Sequence, residues 1–203
     1  MSRLGRADLQ GDSAFENRVA HTYAQFVDGG ITDNLGLRAM LDTVELVGGT
    51  KQCLQGLGIA TPRRMAIISL NASADTPQGI GATREAPGIE ATLNAVTNIQ
   101  LHRYNVATLQ QTQQSLLRWA SQLSTPERPV SPYFIPLSFE DVPDAPPRRW
   151  LNEIPTSFVL KAEQVDRLIA TGRELLRNNP EFQRLLASLR DAAASAPPKA
   201  AAP

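Results

Sequence analysis

Between Arg63-Arg64 and Asn71 the chain reads Met65-Ala-Ile-Ile-Ser-Leu70, six near-continuously apolar residues. A run of this kind fits a strand buried on both faces, which is the mark of a parallel sheet covered by helices. Around it the sequence alternates strand-like and helix-like segments. Ala20 to Val27 read as a short strand in which Tyr23, Phe26 and Val27 supply the β-favouring positions. Leu37, Met40, Leu41, Val44 and Val47 then recur on one helical face, and Gly48-Gly49 stop that helix. From Ile89 to Ser124 there is neither glycine nor proline, so this stretch predicts one long helix, or two with a bend near Tyr104. Its apolar stripe begins with Ile89, Leu93 and Val96 and continues through Leu109, Leu116, Ala120 and Leu123.

Downstream, Tyr133, Ile135, Leu137 and Phe139 alternate along Pro132 to Phe139. Pro136 cannot donate to a ladder, so this segment is expected at a sheet edge. The proline-rich stretch from Asp141 to Pro155 is expected to wrap the surface. A helix follows from about Lys161 to Arg177, with Val165, Leu168, Ile169, Leu175 and Leu176 inward. Asn179-Pro180-Glu181 restarts a helix with a cap, a proline at its first position and an early acid. Its inner face is Phe182, Leu185, Leu186 and Leu189. The order strand–helix–strand–helix–strand–helix indicates the α/β class. The Ala/Pro tail, residues 191–203, is expected to be disordered.

Composition narrows the functional classes. Twenty basic residues balance twenty acidic ones, so no net field draws the chain to nucleic acid or an anionic membrane. No apolar run approaches the roughly 18 residues that span a bilayer. His21 and His102 are too few for a zinc site and stand in no ligand-spaced motif, and Cys53 shows no activating neighbour. These residues offer no metal site. Arg148-Arg149-Trp150 suit a lipid interface, but a Trp packed under a loop beside two solvated arginines is the plainer reading.

One motif carries chemistry. In Phe26-Val27-Asp28-Gly29-Gly30 an apolar approach ends in a lone carboxylate, and two glycines turn the backbone. Asp33 or Asn34 then offers an N-cap to the following helix. A carboxylate at an exposed strand end can accept a proton in a partly desolvated cleft. Alternatively Asp28 simply opens a turn, since Asp-Gly is a common turn pair.

Asp28-Gly-Gly-Ile-Thr-Asp-Asn-Leu-Gly-Leu-Arg38 resembles the bacterial patatin-like phospholipases almost residue for residue. Leu70-Asn71-Ala72, Asn98-Ile-Gln-Leu-His-Arg-Tyr-Asn105, Pro132-Tyr-Phe-Ile and Leu151-Asn-Glu-Ile-Pro-Thr-Ser-Phe158 extend the resemblance over residues 20–190. It implies the C-terminal portion of a patatin-like three-layer fold, a mainly parallel sheet flanked by helices with a C-terminal helical segment. It implies Ser–Asp dyad hydrolysis of phospholipid or lysophospholipid esters without a metal or organic cofactor, with Asp28 as proton acceptor and Gly29 and Gly30 shaping its turn. The implied partners are a lipid ester and a membrane surface. The resemblance leaves the compartment open between cell envelope and cytoplasm.

The pattern breaks at the nucleophile. The family carries a Gly-x-Ser-x-Gly elbow, whose strained turn needs small residues on both sides. Here only Ser13 has a glycine two positions before it, Gly11, and Phe15 stands where the second glycine belongs. Gly79-Ile-Gly81-Ala-Thr-Arg84 is the nearest approach to a glycine-rich loop, but it lies downstream of Asp28. Met1 leads into a polar stretch without the apolar core of a signal peptide. Residues 1–19 are therefore expected to be the entry loop of a domain begun elsewhere, and the missing N-terminal half becomes an expected partner. The chain alone is expected to be inactive. A second reading is a non-catalytic lipid- or protein-binding module that keeps the fold.

Overall fold

The structure, a computed structural model, describes residues 33–73, 86, 88–155 and 157–194. The chain divides into two units, residues 1–32 and 33–203, and all that follows concerns the second. The expected strand Ala20–Val27, together with Ser13, Asp28, Gly29, Gly30 and the Gly79–Arg84 loop, lies outside the described residues. In order the elements are α1 (Leu37–Leu46), α2 (Thr50–Gly56), β1 (Arg64–Asn71), α3 (Ile89–Leu123), β2 (Ser131–Ser138), a 3-10 turn (Phe139–Asp141), α4 (Ala145–Asn152), α5 (Ala162–Asn178) and α6 (Pro180–Ala194). The described fold is mixed α/β, mostly helix around a small sheet of two parallel strands.

β1 and β2 pair in parallel from Arg64 opposite Ser131 to Asn71 opposite Ser138. The Ser131 N–H donates to the Arg63 carbonyl at 3.0 Å, which sets the phase of the ladder. In a parallel pair alternate residues turn their backbone groups toward the partner. Pro132 and Pro136 therefore face outward, where a missing N–H costs the ladder nothing. Their carbonyls are met by side chains: Arg184 donates to Pro132 O at 2.8 Å and Asn179 to Pro136 O at 3.4 Å. β2 is the edge strand its prolines foretold. On β1 the same phase turns Arg64, Ala66, Ile68 and Leu70 outward, and among the described residues no strand pairs with them.

Helices lie on both faces of the sheet. On one face Met65 and Ile67 of β1 pack against a cluster of Leu41, Val44 and Trp119 from α1 and α3. A neighbouring cluster of Ala120, Leu123 and Val130 continues the same core, with Met65 and Leu54 against it. On the other face Tyr133, Ile135 and Leu137 of β2 are covered by Leu175 and Leu176 of α5 and Phe182 and Leu185 of α6. The double burial expected of β1 is not met. Only Ser69 is buried there, while Ile68 is 50% and Leu70 60% exposed. Both share a face with Ile135 and Leu137 in the register; α6 reaches β1 only at its start, where Arg64 donates to Ser188, and among the described residues Ile68 and Leu70 stay largely exposed.

The local signals explain most element ends. Gly48 (φ 92°) and Gly49 (φ 104°) close α1. Gly48 N–H donates to Glu45 O (3.0 Å) and Gly49 N–H to Val44 O (2.8 Å), the double bond of a Schellman stop. Asn179 caps α6 as expected, its Oδ1 accepting from the N–H groups of Glu181 (3.0 Å) and Phe182 (3.2 Å).

Four expectations need correction. α1 is entered through Gly36 in the left-handed region, so neither Asp33 nor Asn34 is its N-cap. Asp33 still performs the chemistry from upstream, because its Oδ2 accepts from Ala39 N–H at 3.0 Å. The 141–155 stretch is not all loop: α4 starts behind Asp144, with Pro146 and Pro147 in the first turn, where absent N–H groups break no helical bond. Trp150 lies on that helix under the Arg167 guanidinium, 4.3 Å from its ring centroid. α3 is a single helix, but Ile89, Leu93 and Val96 are more than half exposed and only its second half is core. Finally, α6 runs through Ala194 into the expected disordered tail, and residues 195–203 are outside the described set.

Candidate functional site

Ligands of open parallel sheets gather outside the carboxyl ends of the strands. That end of this sheet opens into a cleft of about 730 Å³. It is lined from β1 and its exit by Leu70, Asn71, Ala72 and Ser73, from the approach to α1 by Asn34 and Leu35, from α3 by Asn98, and from the end of α4 by Asn152 to Pro155. A smaller recess of about 230 Å³ shares Asn34, Asn71, Ser73, Asn98 and Asn152 with it. The recess reaches further along α3 to Leu101, His102 and Asn105, and across to Ser138, Phe139, Glu140 and Arg148.

Several lining groups are held by local hydrogen bonds. Asn34 donates to the Ser73 hydroxyl at 2.9 Å, and the Ser73 N–H donates to Asn71 Oδ1 at 3.1 Å. These two bonds pin the start of one segment to the end of β1. Asn98, His102 and Asn105 fall on one side of α3, at intervals of four and three residues. Arg148 is anchored by donating to Val142 O at 3.0 Å. The 3-10 turn carrying Glu140 is fixed by Asp141, whose Oδ2 accepts from the Ser138 N–H at 2.8 Å.

Burial separates these residues. Asn34, Asn98 and His102 are exposed, whereas Asn105 is only 5% exposed. Asn105 Oδ1 and, one turn on, Thr108 Oγ1 are buried without a hydrogen-bond partner among the described residues. A buried polar atom left unpaired costs about 1–3 kcal/mol.

The sequence motifs bear on this cleft unevenly. Of the site residues expected from sequence, Asp28, Gly29 and Gly30 lie outside the described residues. Asp33 serves α1, and Asn34 is in the cleft. His102 lines the recess from an exposed position on α3, and Cys53 is half-buried against the Leu41–Trp119 cluster, away from it. Glu140 and Arg148 were not singled out for this site by the sequence. Among the described residues no group of three His, Cys, Asp or Glu could hold a metal, and no helix is long and apolar enough to cross a membrane.

Segments far apart in the sequence thus meet at one point. Asn34-Leu35, Leu70-Asn71-Ala72, Asn98 to Asn105 and Asn152-Glu153-Ile154-Pro155 all reach the cleft, and each belongs to one of the stretches that carry the resemblance described above. Compared with known proteins, the chain matches no family model, no curated protein and no solved structure.

Proposed function

We propose that the chain is the general-base portion of a patatin-like lipid acyl hydrolase, cleaving phospholipid or lysophospholipid esters. Asp28 takes the proton of a serine nucleophile, and Gly29 and Gly30 shape the turn that presents it. What supports the reading is that four separated stretches of family-like sequence supply the lining of one cleft at the carboxyl ends of parallel strands. Acyl transfer also needs a nucleophile and donors for the oxyanion. No Gly-x-Ser-x-Gly occurs in these residues, so the reading requires a serine carried by polypeptide other than these residues.

The missing serine equally favours the second reading, a non-catalytic module that binds lipid or protein through the same fold. One experiment separates them. The purified chain is mixed with, or fused behind, a polypeptide bearing the serine elbow and oxyanion loop of a patatin-like phospholipase. The enzyme reading expects ester hydrolysis to appear with both parts present and with neither alone. Asp28→Asn should then lower turnover by roughly 10²–10⁴-fold, while Asp33→Asn leaves it near the unmodified level. Equal turnover for the two variants would reduce Asp28 to a turn residue.

A further inference from the structure

Arg148 and Glu140 line the same recess but do not pair with each other. Among the described residues the one ion pair joins Arg184 and Glu181. Both unpaired charges sit on held elements. Glu140 is exposed on the 3-10 turn, which Asp141 fixes by accepting from the Ser138 N–H. Arg148 stands half-buried in α4, with Nη1 donating to Val142 O at 3.0 Å. Its Nε and Nη2 donate to nothing among the described residues, and neither is one of the buried atoms left without a partner, so solvent reaches both.

A half-buried cation has lost part of its hydration, and an anion brought to it makes good that loss through charge-assisted hydrogen bonds. The guanidinium fork matches two oxygens of one phosphate. Glu140 disfavours a plain anion in the same recess and favours an ammonium beside it. Two unpaired charges of opposite sign therefore complement a single ligand that carries both signs.

We propose that the recess binds a zwitterionic head group, its phosphate on Arg148 and its ammonium on Glu140. Such a head is presented by a phosphoethanolamine lipid or by the free glycerophosphodiester. The recess and the wider cleft share Asn71 and Asn98. The rest of a lipid therefore extends into that cleft, which Leu35, Leu70 and Ile154 line. The proposal rests on the functional reading above for its lipid, but binding needs no serine and no step of hydrolysis, so either can fail without the other.

The test is an NMR titration of the isotope-labelled chain with glycerophosphoethanolamine and with glycerophosphoglycerol, which keeps the phosphodiester and has glycerol in place of the ammonium-bearing arm. The ethanolamine form should bind tighter by about two- to fivefold, the worth of one exposed ion pair. Glu140→Gln should erase that preference and leave glycerophosphoglycerol as tight or tighter. Arg148→Gln should weaken both ligands by about tenfold or more, the loss of a charge-assisted contact. Dihexanoyl phosphatidylethanolamine, below its micellar concentration, distinguishes the sources: tighter binding than the bare head identifies the lipid, and equal binding the free diester. Glu140 is exposed, so its variant keeps the test decisive even if Arg148→Gln does not fold. Absence of saturation with glycerophosphoethanolamine, equal affinity of the unaltered chain for the two diesters, a preference that survives Glu140→Gln, or unchanged binding by a folded Arg148→Gln chain would each overturn the proposal.

Discussion

Asn34 and Ser73, 39 residues apart in sequence, are joined by a hydrogen bond of 2.9 Å from carboxamide to hydroxyl at the mouth of the cleft. Both are exposed, so water competes for each group. A double-mutant cycle on Asn34→Ala and Ser73→Ala should give a coupling near the low end of the usual range, about 0.5 kcal/mol. The bond from the Ser73 backbone N–H to Asn71 Oδ1 involves neither altered side chain and survives both changes. Zero coupling in urea unfolding would show that the two segments meet without depending on this bond.

Ile68 and Ile135 stand opposite each other in the register and share a face of the sheet, yet one is 50% exposed and the other 0%. Ile135→Ala should destabilise by about 2–5 kcal/mol, through lost burial and the cavity left under α5 and α6. Ile68→Ala should stay within about 0.5 kcal/mol. Similar costs at the two positions would mean that Ile68 is covered after all. Chemical unfolding of the two variants measures both.

Exposed Ile68 and Leu70 form the uncovered part of that sheet face. A hydrophobic dye should bind the chain, and Ile68→Thr with Leu70→Thr should reduce its fluorescence while leaving the unfolding midpoint nearly unchanged, since threonine retains the preference for extended backbone. Dye binding untouched by the pair would place the exposed apolar surface elsewhere.

At Gly36 a Cβ would stand in open space and at Gly49 it would meet only the Gln52 Oε1 in ordinary contact at 3.8 Å, so alanine tests the backbone at both. Gly36 lies in the ordinary left-handed region at φ 65°, ψ 8°, whereas Gly49 lies at φ 104°, ψ −179°, a region essentially restricted to glycine. Gly49→Ala should cost about 1–3 kcal/mol. Gly36→Ala should cost roughly 1 kcal/mol, and Gly36→Asn less, because asparagine tolerates the left-handed region. Thermal melts that rank the two alanine variants the other way would overturn this assignment of strain.

Features that depend on neighbours in sequence were readable before the fold. Asn179-Pro180-Glu181 announced a capped helix, Gly48-Gly49 a stop and Pro136 an edge, because each acts within a turn or a ladder step. α4 was missed for the same reason: prolines suggest loops, and only the frame of the helix decides that Pro146 and Pro147 fall in its first turn. The burial of β1 could not be read locally, since an apolar run records what a strand is suited to and not what lies over it. The cleft was hardest. Asn34, Asn71, Asn105 and Asn152 are separated by dozens of residues, and nothing in any one segment indicates that they line a common cleft and recess.

The outward edge of β1 has a geometric consequence. Its backbone groups at Ala66, Ile68 and Leu70 are a template for one more strand, and a strand laid along it in the parallel sense would finish beside Asn71. The residue that follows such a strand would emerge at the rim of the asparagine-lined cleft. A polypeptide that extended the sheet there would thus set its own following residue beside the cleft. A proline at Ile68, which would take one backbone N–H from that outward edge, would weaken such pairing.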